Sequence, residues 1–163
     1  MRVNGWALYQ HELFRQQMDR LVSRVDALKK RDPAGYQNLP ATKLLATIQR
    51  YIEEIIPKDP AAAVFRQGNT LGVDNRHWFR AKFHERYRLF YRFSGSQRII
   101  LYVWVNDEGT LRKAGAKTDP YTVFRSMLEA GNPPGSIEEL LRRSSELVAR
   151  TMERRKKGSD GQR

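Results

Sequence analysis

The stretch FRAKFHERYRLFYRF, residues 79–93, decides how the rest of the chain is read. Its even positions are Arg80, Lys82, His84, Arg86, Arg88 and Arg92, interrupted only by Phe90. Its odd positions are apolar apart from Glu85. Strand side chains alternate between two faces, so a period of two predicts half-buried β structure with one cationic and one apolar side. Cations on alternate residues stand about 6–7 Å apart, a spacing that suits the phosphates of an extended nucleic-acid strand. A solvated polar face is the competing explanation, but ordinary exposed faces mix charge signs. Here five Lys/Arg residues face one acid.

Working outward, strands are expected over 78–83, 86–94 and 98–106, with SGSQ at 94–97 as a hairpin turn. IILYVWV at 99–105 is apolar on both faces and predicts a central strand covered on both sides. VNGWALYQH near the start reads as one short strand, and a further short strand is open around 64–71. Phe14, Met18, Leu21, Val22, Val25 and Leu28 recur at helical spacing over 11–31. A second helix is expected over 41–56, stopped by Pro57 and Pro60. After the central strand comes a loop and then a helix, with Asp119 as N-cap and Pro120 in the first position. Ser136 and Glu139 have capping-box spacing for a last helix over 137–154. The order predicts an α+β fold: a small twisted antiparallel sheet, two long N-terminal helices on one face, and C-terminal helices. The arginines are expected on the opposite, uncovered face.

Composition narrows the function. A net charge of +12 and a pI near 10.3 call for an anionic partner, nucleic acid or an acidic protein. The cations follow a strand pattern and not one face of an amphipathic helix, which disfavours a membrane surface. No segment approaches the roughly 20 apolar residues of a membrane span, and residues 1–14 lack a signal-peptide run. The absence of cysteine removes disulfides and thiolate metal sites and fits a cytoplasmic protein. His11, His77 and His84 form no metal-ligand motif, and no metal or other cofactor is expected. RNA can be cut without a metal because it carries its own nucleophile, the 2′-OH. The protein must take that proton, stabilise charge at phosphorus and protonate the leaving 5′-oxygen. Arginine and lysine suit the second task; lysine, histidine or tyrosine suits the others.

The segments RVNGWALYQHELF, ATKLLATIQRYIEEII, WFRAKFHERYRLFYRFS and NDEGTLRKAGAKTDPYTVFRSML, in this order, resemble the YhaV toxin family. RYRLFYR alone matches only the wider RelE/ParE superfamily. The resemblance implies a RelE-like toxin domain over 1–131, with a helical extension at 132–155 and a disordered tail at 156–163. It implies an endoribonuclease that cuts mRNA in association with the ribosome, paired with a PrlF-like antitoxin of the AbrB type. The complex is expected to bind operator DNA and repress its own operon. Carried over by motif, Arg80, Lys82, Arg86 and Arg88 are catalytic candidates, with Lys117 and Tyr121 from the following loop and helix. Arg76, His84, Arg92, Arg112 and Lys113 are candidates for RNA contact. Acidic residues of the antitoxin are expected near Arg80 and Arg88. Tyr121 could equally serve first-turn packing, and Asp119 a helix cap. The family usually carries a glycine in the turn where this chain has His84–Glu85, so two hinged strands or one bent strand both remain open there. A turn would leave residues on its two sides free to face differently. Two rivals stay open beside the nuclease: a gyrase poison on the same fold, and a binding module without catalysis.

Overall fold

The computed structural model describes residues 1–148. The far end of the expected last helix and the tail at 156–163 lie outside them. The sheet has the order β1 (Arg2–Val3), β2 (Trp6–His11), β5 (Ile99–Val105), β4 (Tyr87–Ser94), β3 (Phe79–Phe83), and β6 (Ser144–Glu146) also pairs with β2. Every pairing is antiparallel except β2 with β5. These two are joined through most of the chain, and a long connection is what parallel neighbours require. The single N-terminal strand expected from VNGWALYQH is instead a hairpin. Asn4 and Gly5 turn it with φ of 51° and 81°, values that only Gly and Asn/Asp-type residues adopt at low cost.

Helix α1 (Glu12–Arg31) follows β2 directly, with the His11 side chain accepting from the Leu13 N–H as its cap. Phe14, Met18 and Val25 form its buried stripe, each contributing about 1.5–3 kcal/mol by burial. Helix α2 (Pro40–Arg50) packs beside it and widens into a π-turn over Tyr51–Ile55 before a last turn, α3 (Ile56–Lys58). Pro57 therefore sits inside the helix and does not stop it. It has no N–H to give, and in the π register its acceptor would be the Ile52 carbonyl. The Tyr102 hydroxyl donates to that carbonyl at 2.6 Å and satisfies it. The short strand open at 64–71 does not form: that segment holds a 3₁₀ turn and a single bridge, Arg66 to Phe79.

β5 is central and covered on both sides. Ile100 and Tyr102 join the core under α1 and α2, while Leu101, Val103 and Trp104 join a second core. A bulge opposite Phe90/Tyr91 puts Val103 and Trp104 in the same cluster. That second core corrects the expectation of an open arginine face. Helix α4 (Pro120–Glu129), capped by Asp119, covers it with Tyr121 and Phe124, and α5 (Ile137–Arg142) adds Leu140. Trp78 and Trp104 are core residues there. α5 starts at the expected Ser136 cap but ends at Arg142, not at 154. Residues 143–146 are Arg, Ser, Ser and Glu, with nothing apolar to bury on a helix. They extend instead as β6 along the free half of β2, pairing Gln10 with Ser145 and His11 with Ser144, and Leu147 is then buried.

Candidate active site

The sheet register builds the site. β3 and β4 pair Phe83 with Tyr87, Lys82 with Arg88 and Arg80 with Phe90. The loop between them, His84–Glu85–Arg86, has an odd number of residues. Alternation therefore continues through the turn, and Arg80, Lys82, Arg88 and Phe90 stand on one face. The turn is real although it lacks glycine: His84 and Glu85 have φ of 45° and 60°. Left-handed backbone costs a residue with a Cβ about 1–2 kcal/mol. His84 Nε2 lies 2.8 Å from Thr47 Oγ1, which ties the turn to α2.

Two arginines converge on one phenol. Arg80 Nε donates to the Tyr121 hydroxyl at 2.9 Å, and Arg88 Nε donates to the same oxygen at 3.1 Å. Arg80 Nη1 also donates to the Val64 carbonyl, and Arg88 Nη1 to the carbonyls of Glu85 and Tyr87. The two residues are 8% and 7% exposed. Neither Nη2 is hydrogen-bonded within the described residues, and neither is among the unpaired polar atoms sealed from solvent. Each guanidinium thus keeps one open edge. The Tyr121 oxygen accepts two N–H bonds, so its own proton remains available to a further acceptor.

The segment between β5 and α4 closes over this pair as a strap. Arg112 lies 5.0 Å above the Tyr121 ring and donates to Asp119 Oδ1. Asp119 is 2% exposed and also accepts from the backbone N–H of Lys113 at 2.8 Å and of Tyr121 at 3.1 Å. It caps α4 and holds Arg112 with the same carboxylate. Asn106, buried at the strap's root, accepts from the Arg88 N–H and donates to the carbonyls of Arg86 and Thr110. Backbone bonding between Arg112 and Arg86, with Arg86 Nε donating to the Arg112 carbonyl, joins strap to hairpin.

Of the residues singled out in the sequence, Arg80, Arg88, Tyr121 and Arg112 meet directly. Lys82 is exposed opposite Arg88, and Arg86, Lys113 and Lys117 are exposed on the hairpin turn and the strap. Three do not join them. The His84 side chain turns to the helical face, among Thr47, Phe83 and Tyr87. Arg76 donates to Asn69 Oδ1 at 2.6 Å. Arg92 stacks on Trp78 at 5.2 Å and donates to the Gly135 carbonyl; burial lowers its pKa to about 10, so it is still a cation at neutral pH. Sequence reasoning missed Asn106 and the second role of Asp119. The NDEG run that contains Asn106 reads locally only as a strand end. Among the described residues no three His, Cys, Asp or Glu side chains gather as a metal site, and no helix is long and apolar enough to cross a membrane.

The arrangement joins two guanidiniums to one phenol, with Lys82 exposed on the same sheet face opposite Arg88, a combination suited to a phosphodiester whose negative charge grows in the transition state. Comparison with known proteins agrees with that chemistry. A family described as "Toxin with endonuclease activity, of toxin-antitoxin system" matches residues 8–145. The "Ribonuclease toxin YhaV" of Escherichia coli strain K12 is 50% identical over 147 residues, covering 89% of this chain and 96% of that protein. The "Toxin YhaV" of Escherichia coli O6:H1 strain CFT073 matches to the same extent. No solved structure matches. With the family model spanning both the strands that carry the arginines and the helix that carries Tyr121, the chain belongs to the YhaV family of toxins with endonuclease activity.

Proposed function

We propose that this toxin is a metal-independent endoribonuclease that cleaves mRNA and thereby arrests translation. The observation that carries the proposal is the Tyr121 hydroxyl shared by Arg80 and Arg88, with Lys82 exposed on the same face. The ribonuclease named in the half-identical Escherichia coli relative supports the substrate class. In this mechanism a phosphate enters against the open Nη2 edges of Arg80 and Arg88. The RNA 2′-oxygen attacks phosphorus and loses its proton to a base on this face, for which Lys82 or Lys117 is the candidate in its neutral amine form, becoming the ammonium as it takes the proton. The bond to the 5′-oxygen breaks, and that oxygen gains a proton, for which Tyr121 is a donor in reach of the same phosphate. The products are a 2′,3′-cyclic phosphate and a 5′-hydroxyl. Arg80 and Arg88 counter the charge that develops on the pentacoordinate phosphorus. Arg86, Arg112 and Lys113 hold flanking phosphates, a salt-sensitive contribution.

The same reading includes a cytoplasmic toxin that meets mRNA on the ribosome, a PrlF-like antitoxin, and operator binding by the toxin–antitoxin complex. Its test uses purified protein and RNA, with and without ribosomes. Cleavage in EDTA leaving cyclic-phosphate ends is expected, with strong loss in Arg80→Lys, which keeps the charge but loses the fork. Activity abolished by EDTA and restored by Mg²⁺ would sink the mechanism. RNA binding without cleavage would favour a docking module, and a DNA-damage response without RNA fragments in induced cells would favour a gyrase poison.

A further inference from the structure

On the opposite side of the sheet from the arginines, a cavity of about 410 Å³ opens between α1, the start of α2, the β3–β4 turn and the end of β5. It falls within the size range of ligand clefts, roughly 300–1,000 Å³. Its floor includes Leu21, Leu44 and Tyr87, and its rim includes Arg20 and Lys43, both exposed. Among the described residues Arg20 and Lys43 form no ion pair. The acids at the mouth are engaged locally: Glu108 pairs with Arg24 at 3.0 Å, and Asp107 accepts from the Gly109 N–H and the Thr110 hydroxyl.

We propose that this groove is the docking site of an antitoxin segment in which apolar side chains are flanked by carboxylates. The apolar residues would fill the space over Leu21 and Leu44, and the carboxylates would meet Arg20 and Lys43. Charge decides the occupant. Residues 149–163 of this chain carry six Lys/Arg against Glu153 and Asp160, so the rim repels them. A second copy of a chain with net charge +12 is disfavoured in the same way. Burial decides the place. Arg80 and Arg88, where antitoxin acids were expected, are 8% and 7% exposed and offer few atoms to a partner, whereas Arg20 and Lys43 are exposed.

The groove also reaches the arginine site. Asn106 lines it, and the same side chain holds the Arg88 N–H and the Thr110 carbonyl at the root of the strap. A segment seated against Asn106 therefore holds the strap that carries Arg112 and leads to Tyr121. The docking inference rests on the antitoxin part of the proposed function and not on the assignment of any catalytic residue.

The test is a double charge reversal, Arg20→Glu with Lys43→Glu, measured against the PrlF-like antitoxin by titration calorimetry and by growth on co-expression. Both positions are exposed, and toxicity in the absence of antitoxin reports that the variant folds. Affinity is expected to fall roughly 10- to 100-fold, with toxicity retained and rescue by antitoxin lost. Arg142→Glu, an exposed reversal outside the groove, should bind as the parent does. Leu44→Trp, which pushes an indole into the cavity where the apolar residues would sit, should also weaken binding. Parental affinity in the double reversal, or equal weakening by Arg142→Glu, would overturn the docking site. Antitoxin should slow hydrogen exchange over residues 106–113; unchanged exchange there would overturn the coupling to the strap. Loss of RNA cleavage alone, as in Arg80→Lys, leaves antitoxin affinity unchanged, so this proposal and the nuclease mechanism fail separately.

Discussion

Tyr121→Phe removes one oxygen and nothing else from the centre of the site. The ring keeps its edge contact with Phe90 at 5.6 Å and its place under Arg112 at 5.0 Å. The lost atom accepts from Arg80 Nε at 2.9 Å and Arg88 Nε at 3.1 Å. A hydrogen bond to a charged partner contributes about 1.5–3 kcal/mol, and a buried donor left alone costs a similar amount. Two such bonds sharing one acceptor are not additive, and both guanidiniums keep backbone carbonyl partners. The expected destabilisation is therefore about 2–4 kcal/mol. For a chain of this size it corresponds to a fall in Tm of roughly 5–15 °C. Cleavage, measured well below the variant's Tm, should drop further, by about 10²–10⁴-fold if the phenol passes a proton. Circular dichroism gives the first quantity and single-turnover RNA cleavage the second. A Tm within a degree of the parent would refute the hydrogen-bonding argument. A lowered Tm with parental cleavage would reduce Tyr121 to a packing residue.

Asp119→Asn keeps a side-chain cap for α4 but loses the charge that holds Arg112; cleavage should fall with Tm lowered by no more than a few degrees. Asp119→Ala should lose the cap as well, worth about 0.5–2 kcal/mol, and equal Tm values for the two variants would count against this division. Glu85→Gly relieves a left-handed residue at φ 60°. Less the entropy that glycine adds to the unfolded chain, it should stabilise by about 0.5–1 kcal/mol, and chemical denaturation showing a loss would contradict the strain. Burial depresses the pKa of His11, Arg143 lowers it further, and Glu12 opposes them. Above the ordinary value of about 6.5 neither folded nor unfolded chain protonates this group. Below it the unfolded chain gains a proton first, so stability is lost as pH falls toward the depressed folded value. Tm should decline from pH 7 to pH 5.5, and His11→Asn, which keeps a capping acceptor, should flatten that decline; an unchanged slope would exclude His11 as its source.

Local chemistry carried much of this molecule on its own. The period of two in residues 79–93 specified β3 and β4, and the 3.6-residue stripe over Phe14 to Leu28 specified α1. Asp119 followed by Pro120 marked the start of α4, and Ser136 that of α5. Even the shared face of Arg80, Lys82 and Arg88 was present in the parity of their numbers, although it took the three-residue loop to preserve that parity through the turn. Each of these features involves neighbours within a turn or a hairpin, where one residue's geometry constrains the next. Where the local signal was weak, at residues 143–146, pairing with the distant β2 won over the helix.

What the sequence left open depends on contacts between distant residues. An arginine on a strand reads the same whether its face meets water or a helix. Tyr121, 41 residues from Arg80 and 33 from Arg88, decides that it meets a phenol. The burial of those guanidiniums and the bond from Tyr102 that lets α2 pass through Pro57 follow from the same cause. So does Asn106 joining strap to strand. A buried polar group must find a partner, and which partner lies within reach is settled only when remote segments pack. The cations and the alternation were therefore fixed along the chain, while their union around one hydroxyl was decided by tertiary packing.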